Sequence, residues 1–347
     1  MTPITKTVTI GPWTGADSYA DLAVEYEAAS RGIGLHDRAY RGLLEITGKD
    51  RLAWLHNLTT NQVKSLQPGQ GNYTFAVNIQ GRILFDMNLL VLRDSVWLDI
   101  DRRWIDAAIA HFNKYIIMED VKLADRTADF ARFALTGARV AQFIARAGLA
   151  QSCAMPLHQV EHLSIDGAQL AIFRDDFCGP FGLQILVPMA SAINLWQRWT
   201  ATPDVTPIGF GAVDTLRIEH GIPWPMTEIT PETLPAETGQ FQRAVSTNKG
   251  CYLGQEIVER MRSRGAVARR LVLIHLPEGE PPPAGSELLS DGAIVGKTTS
   301  ACVSQLHGGA LAMGYVRSAV PDEAPVTVSA QGRCTSGSMV SAATATH

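Results

Sequence analysis

The sequence has few cysteines and gives them no arrangement. Five are spread over 347 residues (Cys153, Cys178, Cys251, Cys302 and Cys334). With no Cys-x-x-Cys pair and no Cys/His cluster, neither a disulfide framework nor a zinc site is indicated. An iron–sulfur centre held by this chain alone would need about four suitably spaced thiolates, which the spacing does not offer. Also missing is any apolar run near the roughly 20 residues of a membrane helix, so no membrane partner is expected. The opening residues, MTPITKTVTIGPW, lack the charged-then-apolar layout of a secretory leader, and a cytoplasmic location is the expectation. No Gly-x-Gly-x-x-Gly follows a strand pattern, and the nine scattered histidines place no His-x-x-x-His on a helix pattern, which removes common nucleotide and metal motifs. The formal net charge of −4 argues against nucleic acid as a partner.

What is present is an ordinary globular balance, 46% hydrophobic and 18% charged, on a chain long enough for two or three cores. Two segments echo each other. GLLEITGKDRLAWLHNL (42–58) and ARFALTGARVAQFIARAGL (131–149) each read as a strand, a Thr-Gly turn and an amphipathic helix. Short β-rich runs and a further helix follow both, so each unit reads β–α–β–β–α. Mixed strands, hairpins and helices point to the α+β class with antiparallel sheets. Beyond the proline-rich EGEPPPAGSE (278–287), short strands punctuated by Gly and Pro predict a small β-barrel or sandwich, and SGSMVSAATATH (336–347) reads as a frayed tail. The expected division is 1–130, 131–265 and 266–347.

Asp86 stands inside the apolar run ILFDMNLL (83–90). A carboxylate there must face water, meet a partner or hold its proton; it is either the outward residue of a half-exposed strand or an acid facing a ligand. Arg217 and Glu219 lie near the end of the helix pattern GFGAVDTLRIEHG on different faces, and by pattern Arg217 is a surface residue. Lys249 to Arg270 carries six basic side chains against Glu256 and Glu259, a solvated face or a seat for a small anion. In KGCYLGQE (249–256), Lys249 and the backbone N–H groups around two glycines would favour a thiolate at Cys251. A tight turn explains the glycines but not Lys, Tyr, Gln and Glu together.

From about Tyr19 to Arg317 the chain resembles the glycine-cleavage T-protein (aminomethyltransferase) superfamily. The segments GLHDRAYRGLLEITGKDRLAWLHNLTTNQV and ALAMGYVR carry the likeness. KGCYLGQE is similar to the K-G-C-Y-x-G-Q-E signature of the YgfZ-like folate-binding branch, which is implicated in iron–sulfur cluster assembly and repair. The resemblance implies a cloverleaf: two related ferredoxin-like α+β units forming a folate-binding cleft, plus a C-terminal β-barrel. It implies tetrahydrofolate, or a one-carbon derivative, as cofactor. The folate-contacting tyrosine falls on Tyr73 and the acid beside the reactive nitrogens on Asp86. A pterin-contacting tyrosine falls on Phe177, which keeps a stacking face and loses a hydroxyl. The pterin-gripping glutamate falls on Gln184, which loses the charge, and the arginine of L-R-x-E-x-G falls on Arg217. Lys249, Cys251 and Tyr252 form the branch-specific site, with the folate tail expected at the basic stretch that follows. The leading expectation is a folate-binding accessory protein with iron–sulfur client or assembly partners. The alternatives are a tetrahydrofolate-dependent aminomethyl- or methyltransferase and a scaffold with a vestigial pocket.

Overall fold

The computed structural model describes residues 3–146, 154–165, 167–264 and 267–342; Cys153 lies outside them. Both Thr-Gly turns are built as the repeat predicts. The strand Arg41–Thr47 runs into the helix Arg51–Leu58, and Phe130–Thr136 into Val140–Arg146. Gly48 and Gly137 stand at φ +106° and +119°, backbone that L side chains rarely adopt.

Each repeat runs β–α–β–β–β–α, one strand more than the β–α–β–β–α reading, and further strands extend each sheet to five and six. In the first sheet the order is Gly71–Val77, Ile83–Val91, Ser95–Asp101, Arg41–Thr47, Lys122–Asp125. In the second it is Val160–Ile165, Ala168–Arg174, Gly182–Pro188, Phe130–Thr136, Gly34–Asp37, Thr206–Ile208. The three-strand meander and the repeat's first strand thus occupy matching places in both sheets. The strand Gly34–Asp37, which the division at residue 130 would give to the first unit, pairs antiparallel with Phe130–Thr136 of the second.

The sheets face each other, and helices cover their outer faces. Strand alternation explains how. Along Ile83–Val91, Phe85, Met87 and Leu89 enter the first unit's core with Trp54, Leu55 and Phe112 of its helices. The alternate residues Asp86, Asn88 and Leu90 turn the other way. In Ser95–Asp101, Val96, Leu98 and Ile100 join that core, which leaves Trp97, Asp99 and Asp101 on the inner face. The second sheet does the same: Leu183 and Ile185 pack under its helices with Phe143 and Trp199, while Gln184 and Leu186 face inward. At one end the inner faces meet through an apolar cluster of Leu43, Leu90, Trp97, Phe173 and Leu186. Towards the other end they become polar.

A closed six-stranded barrel, Arg269–Leu276 to Arg333–Val340, completes the α+β fold. Its last strand corrects the frayed-tail reading for residues 336–340; residues 343–347 of that reading lie outside the described ones. Ser336 and Ser338 pair with Thr327 and Pro325, and Val340 pairs with Leu273, because closing a barrel satisfies both edges of a strand that looks too polar to hold. No helix among the described residues is long and apolar enough to cross a membrane.

At Gly48, an added Cβ would lie 1.9 Å from the Asp120 carbonyl oxygen. Gly292, in a barrel hairpin at φ +76°, has nothing within 4 Å. Gly48→Ala should cost about 3 kcal/mol or more in urea unfolding and Gly292→Ala only about 1 kcal/mol. Equal losses would mean that the Thr-Gly turn relaxes freely.

Candidate functional site

Where the two inner faces turn polar they enclose a cavity of about 240 Å³. Tyr73, Asp86 and Asn88 line it from the first sheet, Asp175 and Phe177 from the second unit, and Arg243 from a connecting segment. Trp224 and the turn of the N-terminal hairpin, Ile10 and Gly11, close its mouth.

The Tyr73 hydroxyl donates to Asp86 Oδ2 at 2.8 Å, while Asp86 Oδ1 is buried without a partner. Burial pushes the Asp86 carboxyl up; the nearby Arg41 guanidinium and the Tyr73 bond pull it back without cancelling the rise. Tyr73 itself is held well above the ordinary phenol range by burial, with the Asp86 charge adding to it. The Arg243 guanidinium lies 4.5 Å from the Tyr73 ring centre, and Arg38 lies 4.2 Å from that of Phe177.

An ion network ties the walls together. Asp99 accepts from Arg41 Nη2 at 3.0 Å, from Asn88 Nδ2 at 3.0 Å, and from Arg132 of the opposite sheet. Asn88 Nδ2 also reaches Asp175 Oδ2 at 3.1 Å, and Asp175 faces Arg243 at 3.3 Å and Arg38 at 3.6 Å. Several buried polar atoms of residues lining this cavity remain unpaired: Arg38 Nε, Asn88 Oδ1 and Arg243 Nε, besides Asp86 Oδ1. Buried donors and acceptors are normally satisfied, so a cluster of orphans at one cavity fits a ligand that presents both kinds of group.

Of the sequence-predicted residues, Tyr73, Asp86 and Phe177 share the cavity. Gln184 stands behind it on the inner face, opposite Phe173 and Ala134 in the sheet. Arg217 is no surface residue. It is 2% exposed, and it pairs with Glu228 at 2.7 Å and Asp214 at 2.8 Å and donates to Ser300 of the barrel at 2.7 Å. Glu228 Oε2 in turn accepts from the Trp224 backbone N–H at 2.9 Å, so Arg217 holds a cavity wall in place from behind.

The motif around Cys251 is also separate from the cavity lining. Lys249 Nζ donates to the carbonyls of His56, Thr59 and Asn61 at 2.5–2.8 Å, where the helix Arg51–Leu58 ends. Burial draws the Lys249 ammonium down to about 7. Three carbonyls at a helix C-terminus oppose that, because a neutral amine has only two N–H groups to offer. This ammonium is therefore committed to structure. Tyr252 is buried with its ring 5.0 Å from Nζ, and Cys251 is exposed. The basic stretch is largely spent as well: Arg260 on Glu256, Arg262 on Glu259, Arg269 on Glu237 and Arg270 on Asp322. It does not line the cavity, contrary to the place expected for a folate tail.

Pattern reading missed Asn88, Asp99, Asp175, Arg38 and Arg41. A signal existed for two of them: Asn88 repeats the inward phase of Asp86 in ILFDMNLLV, and Asp99 repeats that of Trp97 in VWLDID.

This fold and cavity define a class. Residues 5–249 match the GCVT N-terminal domain and residues 269–343 the glycine cleavage T-protein C-terminal barrel domain. The chain belongs to the glycine-cleavage T-protein family. It is 28% identical over 325 residues to an aminomethyltransferase of Desulfitobacterium hafniense (strain Y51), spanning 90% of this chain and 86% of that one. To the Bacillus subtilis aminomethyltransferase it is 27% identical over 308 residues, 87% and 84% of the two chains. The crystal structure of glycine cleavage system aminomethyltransferase T from Bartonella henselae superposes with a TM-score of 0.89 at 23% identity, covering 97% and 93%; that likeness is one of fold. The family's one-carbon carrier is tetrahydrofolate. These relatives favour the transferase alternative over the iron–sulfur reading that led the sequence-based expectations.

Arg217→Met leaves Glu228 buried and unpaired, which should cost about 3–5 kcal/mol in chemical unfolding. Adding Glu228→Gln should recover part of the loss. A small loss for Arg217→Met, coupled with a large drop in folate affinity, would instead make Arg217 a ligand contact.

Proposed function

We propose that the chain binds tetrahydrofolate in the central cavity and transfers a one-carbon unit, aminomethyl or methyl, to or from it. The carrying observation is Asp86, a buried acid with one oxygen fixed by Tyr73 and the other free at the cavity. Tetrahydrofolate supplies the nitrogens that hold the one-carbon unit. Phe177, backed by Arg38, offers a flat face for the pterin, and the unpaired Asn88 carbonyl offers an acceptor. Asp86 Oδ1 takes the proton that a folate nitrogen gives up as its bond to carbon forms, or returns it in the reverse direction. A carboxyl raised by burial is a better proton holder than an ordinary one, which suits it to both moves.

A second reading, the accessory role in iron–sulfur assembly or repair, has one observation in its favour. Cys251 is presented to solvent on a shelf fixed by Lys249 and Tyr252 and lies outside the cavity lining. Cys251→Ser should leave folding and one-carbon transfer unchanged. Lowered activity of iron–sulfur enzymes in cells carrying that variant would support the second role, and unchanged activity would remove it.

Asp86→Asn should lower one-carbon transfer by about 10²–10⁴-fold while tetrahydrofolate affinity changes much less. Equal losses would reduce Asp86 to a binding residue. Stability gives a second readout. A carboxyl whose folded pKa lies above its unfolded value contributes fully at low pH and loses that contribution as pH rises through the folded value. Asp86→Asn should therefore raise the melting temperature at pH 7, and the gain should shrink as the pH falls.

A further inference from the structure

We infer that a second cavity, between the first strand of each repeat and the helix Met189–Thr200, is a binding site for a small carboxylate with an apolar body. This cavity measures about 580 Å³. Phe130, Phe133, Trp196, Met189 and Ile193 supply its apolar wall. Trp196 packs against Phe133 with ring centres 5.1 Å apart and is only half-buried, so its ring borders the space. Met189 and Ile193, one helical turn apart, are 52% and 55% exposed and form an open apolar lip.

The polar side of the cavity carries positive charge in excess. Arg41, Arg102 and Arg132 line it, together with Asp37. Arg41 and Arg132 share one carboxylate, Asp99, on the far side. In the lining itself three guanidiniums stand against the single carboxylate of Asp37, a balance that favours an anion. Arg41 is 6% exposed with its Nε unpaired, a buried donor without an acceptor. A monoanionic head meets both needs, and planar guanidiniums favour carboxylate geometry. The aromatic wall selects an apolar body behind that head. Arg41 also lines the central cavity, but the inference rests on the second cavity alone and does not depend on folate chemistry.

The test uses 3-phenylpropionate as probe and 3-phenylpropionamide as its uncharged match, titrated calorimetrically into the full chain. The carboxylate should bind saturably and at least about tenfold more tightly than the amide, the discrimination expected of a charge-assisted bond. Ile193→Glu, a change at an exposed position, should weaken the carboxylate about tenfold by placing a like charge at the lip, with an unchanged melting temperature and unchanged tetrahydrofolate binding. Trp196→Ala should weaken both probes. Equal binding of acid and amide, or indifference to Ile193→Glu, overturns the inference. One-for-one displacement of the probe by tetrahydrofolate overturns it too, since the probe would then sit in the central cavity.

Discussion

One buried carboxylate joins the halves of this molecule. Asp99 lies on the inner face of the first sheet, fully buried, and takes Arg41 and Asn88 from its own sheet and Arg132 from the opposite one. Breaking such a cluster by removing one partner strands a charge in a low-dielectric interior, which costs far more than the cluster contributes over an apolar substitute. Its value is therefore in position. Leu43, Leu90, Trp97 and Leu186 would glue the two sheets without it, but an apolar seam running the full length would leave no cavity. The ionic clasp holds the polar ends together at a fixed separation while denying them an apolar fill.

From that clasp the cavity's unfinished hydrogen bonding follows. Asn88 splits its amide between Asp99 and Asp175, and Asp175 divides itself between Arg38 and Arg243. Each group is fixed by bonds on one side and left with an orphan atom on another. A pocket arranged this way is preorganised: its dipoles are aimed before the ligand arrives, so little reordering accompanies binding. Asp86 is the extreme case, kept in place by Tyr73 and raised by its surroundings. Stability is given up at this one strand to keep a carboxyl buried with one oxygen unpaired.

The repeat, the α+β class and the barrel strands were legible in the sequence because they rest on local signals: Thr-Gly turns, period-two runs and Gly/Pro punctuation. The strand Gly34–Asp37 was not, since its place beside Phe130–Thr136 is a pairing across about a hundred residues with no turn to announce it. The site was legible where it coincides with a polar residue in an apolar run, as at Asp86. Arg217 was misread because surface propensity carries no knowledge of Glu228 and Ser300 waiting in the interior. The basic stretch misled for the converse reason. Its charges looked free, whereas each described pair finds its acid within a helical turn or on a neighbouring segment.

The segment KGCYLGQE can be divided in the same way into what packing explains and what it does not. Gly254 is needed, since at φ +79° a Cβ would lie 2.3 Å from the Asn78 carbonyl oxygen. Lys249 caps a helix end, Tyr252 fills the space beneath it, and Gln255 Oε1 accepts from the Tyr252 N–H at 3.3 Å. Glu256 meets Arg260 one turn on. The Leu253 N–H donates to the Asn57 carbonyl at 3.0 Å, and the two residues left over, Gly250 and Cys251, are both exposed, with nothing within 4 Å of a Cβ on Gly250. Everything around them is spent on building a rigid support, and the support itself has no structural need of a thiol. An exposed cysteine beside a residue without a side chain is open to approach from solvent. Fold stability explains the shelf; a reason for the sulfur must come from what meets it.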